Sequence, residues 1–487
     1  MSYLDLTIKE IHEALVAKKV TPLELVKQAL ERAKANTDNA FEIILDQEAL
    51  AHASALVEPE IDNLLWGIPY VAKDNFSTKD IPTTGGSNIL NGYVPLFDAT
   101  VINLLKQKNA ILIGKTTLDE LAMGGTGKSG HKGKTFNPYD KTKQRMIGGS
   151  SSGSAAAVSA GIVPFSLGSD TGDSVRKPAS YAGLVGVKPT WGRISRYGLF
   201  PFAPSLDHVG FFTRSAYDAA IVLASLAQSD PNDATCSQTA PENYMQSIGQ
   251  SLAGKRIAII EEIVKSKHRP EVIKAFDALV EQLKNDGAIV TIVKFRRDLL
   301  EAIFPIYITI SCAEATSNAA NLDGIKFGPP TWGATYEDAM RQARTAGFSE
   351  LIKRRFVIGS YALLRENQDV LFLRAQKGRR LIVEQLNNIY QDHDLILAPS
   401  APSIAPKFED KTDQLSDEYL IADNHLVLGN FGGFPGITLP LGMLNDMPFG
   451  IHVMGRPFEE GLVLAAAQSI EKHTGLRNII APGEVNS

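Results

Sequence analysis

Cysteine is nearly absent. Cys236 and Cys312 are the only two in 487 residues, too few for a disulfide framework and in keeping with a reducing, cytoplasmic compartment. A metal-binding pattern is also missing, since the nine histidines are scattered and neither HExxH nor CxxC occurs. No uninterrupted apolar run reaches membrane-spanning length, and the first residues read as an amphipathic, charged helix rather than a secretory signal. Positive charge is not in excess. With 49 Lys and Arg against 54 Asp and Glu the net charge is −5, which argues against this chain as the main nucleic-acid-binding surface. The phosphate-binding pattern GxxxxGK(S/T) is not found either, and no GxGxxG opens a helix after a strand.

What remains is a composition ordinary for a globular protein, 44% hydrophobic and 21% charged. Helix starts are legible near Thr7 and at Thr21-Pro22-Leu23-Glu24, where a threonine cap, a first-turn proline and a capping-box glutamate fall in order. Strand patterns at 68–72, 110–113, 162–167, 256–260, 288–293, 395–398, 436–439 and 450–453 alternate with helical ones at 100–108, 154–161, 216–228 and 271–285. The stretch 299–388 reads mostly helical, and Pro231-Asn232-Asp233 marks a turn. Such alternation predicts an α/β fold with a parallel or mixed sheet covered by helices.

Chemistry concentrates in two glycine- and serine-rich segments, GGSSSGS at 148–154 and GSDTGDSVRKP at 168–178. Glycine removes the Cβ obstacle, so backbone N–H groups and serine hydroxyls approach a bound group closely. Upstream, Lys73 ends a strand pattern in the apolar run GIPYVAKDN. A serine hydroxyl is a poor nucleophile without an adjacent base. Lysine serves as that base only when neutral, and apolar burial favours its neutral form. Two serines and a lysine on neighbouring turns therefore make a hydrolytic centre that needs no histidine. A plain flexible linker at 148–154 and a surface Lys73 paired with Asp74 are the competing readings.

The Lys73 strand end, GGSSSGS, and the long segment from Gly168 to Gly210 resemble the amidase signature family. DGIKFG at 323–328, KRRFVIGSYAL at 353–363 and GNFGGFPGITLPLG at 429–442 are similar to its glutaminase (A) subunits of tRNA-dependent amidotransferases. The resemblance spans nearly the whole chain. It implies one domain over 1–487, a signature core at about 66–215 and a helix-rich portion at about 299–388, on a mixed sheet with helices on both faces. It also implies Ser174 as nucleophile, Ser150 as bridging serine on a cis peptide, and Lys73 as base. The N–H groups of Thr171, Gly172 and Asp173 would form the oxyanion hole. Arg355 would take the α-carboxylate of glutamine and Asp423 its α-ammonium. The implied partners are a B subunit, which binds tRNA and uses ATP and Mg²⁺ to convert Glu-tRNA(Gln) to Gln-tRNA(Gln), and a small C subunit of a heterotrimer. This chain itself would hold no cofactor. A free-standing amidase of broader carboxamide specificity and an inactive scaffold are the alternatives.

Two positions depart from the family pattern. Asp173 stands where glycine usually precedes the nucleophile, and its charge would oppose an oxyanion unless it is paired or turned away. At ~6 Å and an effective dielectric of ~20 that repulsion is about 3 kcal/mol. In the loop 124–130, Lys128 replaces an acidic residue, and 141–146 carries about two extra residues. Lys128 or Lys132 is the expected partner of Asp173 and Lys177 the alternative, with independent changes as the competing reading.

Overall fold

Thr21 accepts a hydrogen bond from the Glu24 N–H, the Glu24 carboxylate takes the Thr21 N–H in return, and Pro22 opens the helix Pro22–Ala35. The same reciprocal cap at Thr7 and Glu10 starts the helix Ile8–Val16. In each case the capping pair satisfies donors that no helical carbonyl reaches. This is a computed structural model, and it describes residues 2–410 and 416–482.

Eleven strands form one sheet: β1 (Phe41–Ile44), β2 (Pro69–Lys73), β3 (Ile111–Thr116), β4 (Phe165–Asp170), β5 (Val185–Lys188), β6 (His208–Thr213), β7 (Arg256–Ile260), β8 (Ile289–Val293), β9 (Leu395–Pro399), β10 (Gly436–Leu444) and β11 (Met447–Gly455). Their spatial order is β1-β3-β2-β4-β6-β5-β10-β11-β9-β7-β8. The pairs β2–β3, β2–β4, β7–β8 and β7–β9 are parallel and the others antiparallel, so the sheet is mixed as expected. β1, β5 and β6 are strands that the hydrophobic pattern did not announce. The strand expected at 162–167 begins only at Phe165, after Pro164, which has no N–H for a ladder.

Alternate strand residues enter two separate hydrophobic cores. Ile257, Ile259, Leu395, Leu397, Ile451 and Val453 join one, while Ala258, Ile260, Ile396, Ala398 and Met454 join the other. The period of two puts these sets on opposite faces, so both faces of the sheet are covered. Helices Ala216–Leu226, Pro270–Asn285 and Glu460–Thr474 pack in the first core. The second holds Ile303–Asn318, Glu350–Leu363 and Arg374–Asp392, from the region read as helical. No helix among the described residues is long and apolar enough to cross a membrane.

Candidate active site

The parallel strands β2 and β4 place the two chemical segments side by side. Lys73 is the last residue of β2 and is fully buried. Its Nζ donates to Ser150 Oγ at 2.7 Å, Ser169 Oγ at 2.8 Å and Ser151 Oγ at 3.0 Å, with Ser169 O at 3.5 Å. Asn75 Nδ2 in turn donates to Ser169 Oγ at 2.9 Å. No carboxylate pairs with this ammonium among the described residues. Burial therefore dominates and lowers its pKa to about 7, with Asp119, Asp170 and Asp207 opposing from farther away. Asp74 is engaged elsewhere, meeting Lys115 Nζ at 3.0 Å and the Thr84 hydroxyl at 2.7 Å. The surface pairing of Lys73 with Asp74 is thus ruled out by the geometry.

Ser150 sits just before the helix Ser152–Ser159, and the Gly149–Ser150 peptide is cis. Gly149 is required here, since a Cβ on it would lie 2.1 Å from Asp119 Oδ2. Ser174 occupies the turn between β4 and the helix Arg176–Ala182, and its carbonyl accepts the Ser151 N–H at 3.3 Å. Its hydroxyl makes no hydrogen bond among the described residues. The structure thus joins Lys73 to Ser150 and leaves the Ser174 hydroxyl uncommitted on the adjoining turn.

That turn is held from beneath. Asp170, at the end of β4, takes the Val175 N–H at 3.0 Å and the Arg176 guanidinium at 2.9 and 3.1 Å, and Arg176 also reaches Gly172 O at 2.8 Å. Burial pushes the Asp170 carboxyl up, but Arg176 and Lys188 outweigh it and hold it well below the usual range. Thr171 Oγ1 donates to Asp207 Oδ1 at 2.6 Å. The N–H groups of Thr171, Gly172, Asp173 and Ser174 have no acceptor among the described residues, whereas Val175 and Arg176 both give theirs to Asp170. Four free donors on one turn suit a developing oxyanion. Gly172 is needed for close approach, as a Cβ there would press on the Tyr307 ring at 3.0 Å.

Arg355 lies on the helix Glu350–Leu363, its guanidinium 5.7 Å from the Phe202 ring centroid. Its Nη1 is buried without a hydrogen-bond partner among the described residues. A buried donor left unpaired is costly, and a planar fork of this kind is satisfied by a carboxylate. Tyr307, whose ring lies against Gly172 of the turn, feels the charges of both Arg355 and Asp173. Burial raises its hydroxyl pKa, the Arg355 charge opposes that rise, and Asp173 adds to it.

Asp173 and Asp423 meet at a residue the sequence reading held only as an alternative. Lys177 Nζ contacts Asp173 Oδ2 at 2.7 Å, Asp423 Oδ1 at 3.0 Å and Asp423 O at 2.7 Å. Burial would lower its pKa, yet the two carboxylates raise it well above the ordinary value. The expected pairing through Lys128 or Lys132 is corrected. Lys128 Nζ donates to Phe408 O at 2.7 Å and Lys132 turns to Glu42, so neither reaches Asp173. The signal for Lys177 was present, since Asp173 and Lys177 are four residues apart at the start of a helix. Ser169, Asn75 and Asp119 were missed because buried polar partners leave no periodic trace in a sequence. Among the described residues no group of three or more His, Cys, Asp or Glu is disposed to hold a metal ion.

A family model described as amidase matches residues 24–464. The A subunit of glutamyl-tRNA(Gln) amidotransferase from Pediococcus pentosaceus is 39% identical over 479 residues, covering 97% of this chain and 98% of the relative. Its namesake from Staphylococcus carnosus is 38% identical over 482 residues, with 97% and 98% covered. Among solved structures, the A subunit of the Thermotoga maritima glutamyl-tRNA(Gln) amidotransferase superposes with a TM-score of 0.81 at 35% identity, covering 100% of this chain and 99% of that one. Sequence, fold and full-length coverage agree, and the chain belongs to the amidase family.

Proposed function

We propose that this chain is the glutamine-hydrolysing subunit of a tRNA-dependent amidotransferase. The observation that carries the reading is Lys73, fully buried among serine hydroxyls with its pKa lowered to about 7 by that burial. Neutral Lys73 takes the Ser150 proton while Ser150 takes that of Ser174, because a hydroxyl both donates and accepts. Ser174 Oγ attacks the side-chain amide carbon of glutamine. The free N–H groups of residues 171–174 receive the oxyanion. Collapse breaks the C–N bond, the relay returns its proton to nitrogen, and ammonia leaves. Water then attacks the glutamyl ester, which gives glutamate and regenerates Ser174.

Arg355 supplies the buried donor for the α-carboxylate, and Asp423 the acceptor for the α-ammonium. The names of the full-length relatives support a tRNA-linked fate for the ammonia. In this reading a cytoplasmic partner B subunit holds Glu-tRNA(Gln) and activates it with ATP and Mg²⁺, and a small C subunit completes a heterotrimer. The charge at Asp173, which favoured an inactive scaffold, is engaged by Lys177. The test is glutamine turnover by the isolated chain and by the complex purified from its native source. Turnover that depends on co-purifying partners supports the reading. Turnover of varied amides by the chain alone replaces it with a free-standing amidase, and no turnover in either sample sinks it.

A further inference from the structure

The Lys177 ammonium has three protons and finds three oxygens of its own chain: Asp173 Oδ2, Asp423 Oδ1 and the Asp423 carbonyl. Its side chain is only 7% exposed, whereas that of Asp423 remains 25% exposed. Asp423 Oδ2 accepts no hydrogen bond among the described residues. Burial pushes the Asp173 carboxyl up and the Lys177 ammonium opposes that rise; with two ionised carboxylates sharing one ammonium, the cluster keeps one uncompensated negative charge. Asp170 does not add to it, being tied to Arg176. Tyr181, Tyr307 and Tyr419 lie nearby with their hydroxyl pKa values raised by burial, and His425 has its own lowered by burial to about 3, so all four are neutral at pH 7.

Each member alone would harm the site. Lys177 beside Asp423, without Asp173, would form a neutral pair with no net attraction for a substrate ammonium. Asp173 without Lys177 would be a buried, unpaired carboxylate next to the nucleophilic serine. Resting on the glutaminase reading, we propose that Asp173, Lys177 and Asp423 act as one unit of net charge −1. In it Lys177 is a positioning residue that holds Asp423 and draws Asp173 off the oxyanion turn. Asp173 restores the charge that selects amides bearing an α-ammonium.

The test compares glutamine with glutaramate, which has the same amide and carboxylate but no ammonium, in the assembled complex. The quantity read is the ratio of their kcat/KM values, in which effects on chemistry common to both substrates cancel. Wild type should favour glutamine, and Asp173→Gly should lower that ratio at least roughly tenfold by removing the uncompensated charge. The change should appear in KM for glutamine. Adding Lys177→Gln to Asp173→Gly returns the net charge to −1, and the ratio should recover to within roughly threefold of wild type, a coupling that additive sites do not show. Should Lys177→Gln fail to fold, the Asp173→Gly ratio decides by itself, since a merely structural role would alter thermal unfolding without splitting the two substrates. An unchanged ratio in Asp173→Gly, additive effects in the cycle, or a wild-type preference for glutaramate overturns the proposal. Absence of turnover of both amides by the wild-type complex overturns instead the glutaminase reading on which it rests.

Discussion

Among the described residues Lys73 Nζ bonds only hydroxyls and one carbonyl, so its charge state is set by desolvation rather than by an ion pair. Protonated Lys73 cannot accept from Ser150. kcat/KM for glutamine should therefore rise with pH through about 7 and level above it. A flat profile between pH 6 and 8 would remove Lys73 from the role of base. Lys73→Ala should cost more than tenfold in rate, a loss above ~1.4 kcal/mol. Ser174→Ala should abolish turnover and leave thermal unfolding within ~0.5 kcal/mol, since its hydroxyl makes no hydrogen bond among the described residues. Arg355→Ala should raise KM for glutamine by about 2–4 kcal/mol of lost binding. Ammonium chloride should bypass that defect in the assembled complex. An unchanged KM would leave the guanidinium with no more than its packing on Phe202.

One carboxylate organises an entire loop beside these residues. Asp119 Oδ1 accepts the N–H groups of Lys128 and Ser129 and the Ser129 hydroxyl, while Oδ2 accepts those of Thr126 and Gly127. The Asp119 N–H is bound to Ser150 O at 3.2 Å, which couples the loop to the bridging serine. Asp119→Ala orphans all of these donors and should lower stability by about 2–4 kcal/mol in denaturant titration, with a parallel fall in turnover. Unchanged stability would show that water replaces the carboxylate without loss. Motif and capping chemistry made Lys73, Ser150, Ser174 and the first helices legible in the sequence, because each rests on residues adjacent in the chain. The short strands β1 and β5 were not legible: four residues allow only two alternations, and both are fixed by partners far away. The i,i+4 spacing of Asp173 and Lys177 is readable in the sequence, but what removes Lys128 from the choice is not. That depends on Phe408 O, 280 residues along the chain, taking the Lys128 ammonium instead.

Across the molecule, stability should carry a pH signature at the C-terminal helix. Burial raises the Glu471 carboxyl to about 7 from an ordinary 4.5, although it accepts the Ala216 N–H at 3.0 Å. Between those values the folded chain binds more protons than the unfolded one, so this group's contribution falls as pH rises from about 4.5 to 7. Glu471→Gln keeps an acceptor and removes the charge. Its advantage over wild type in thermal unfolding should be larger at pH 8 than at pH 5, by about 2–4 kcal/mol. Equal effects at both pH values would show that Glu471 is ionised in the fold. The strand order also has a temporal consequence. The central strand β5 waits for β10, which begins at Gly436, and β9 lies between β7 and β11. At roughly 5–20 residues per second the ribosome takes about 10–50 s to make the intervening chain. During that time the nascent chain carries the open, apolar edge of β5, a template for wrong pairing. Release before Gly436 should therefore give insoluble chains, and co-translational chaperones should be found on nascent chains of intermediate length, departing once β10 and β11 have emerged.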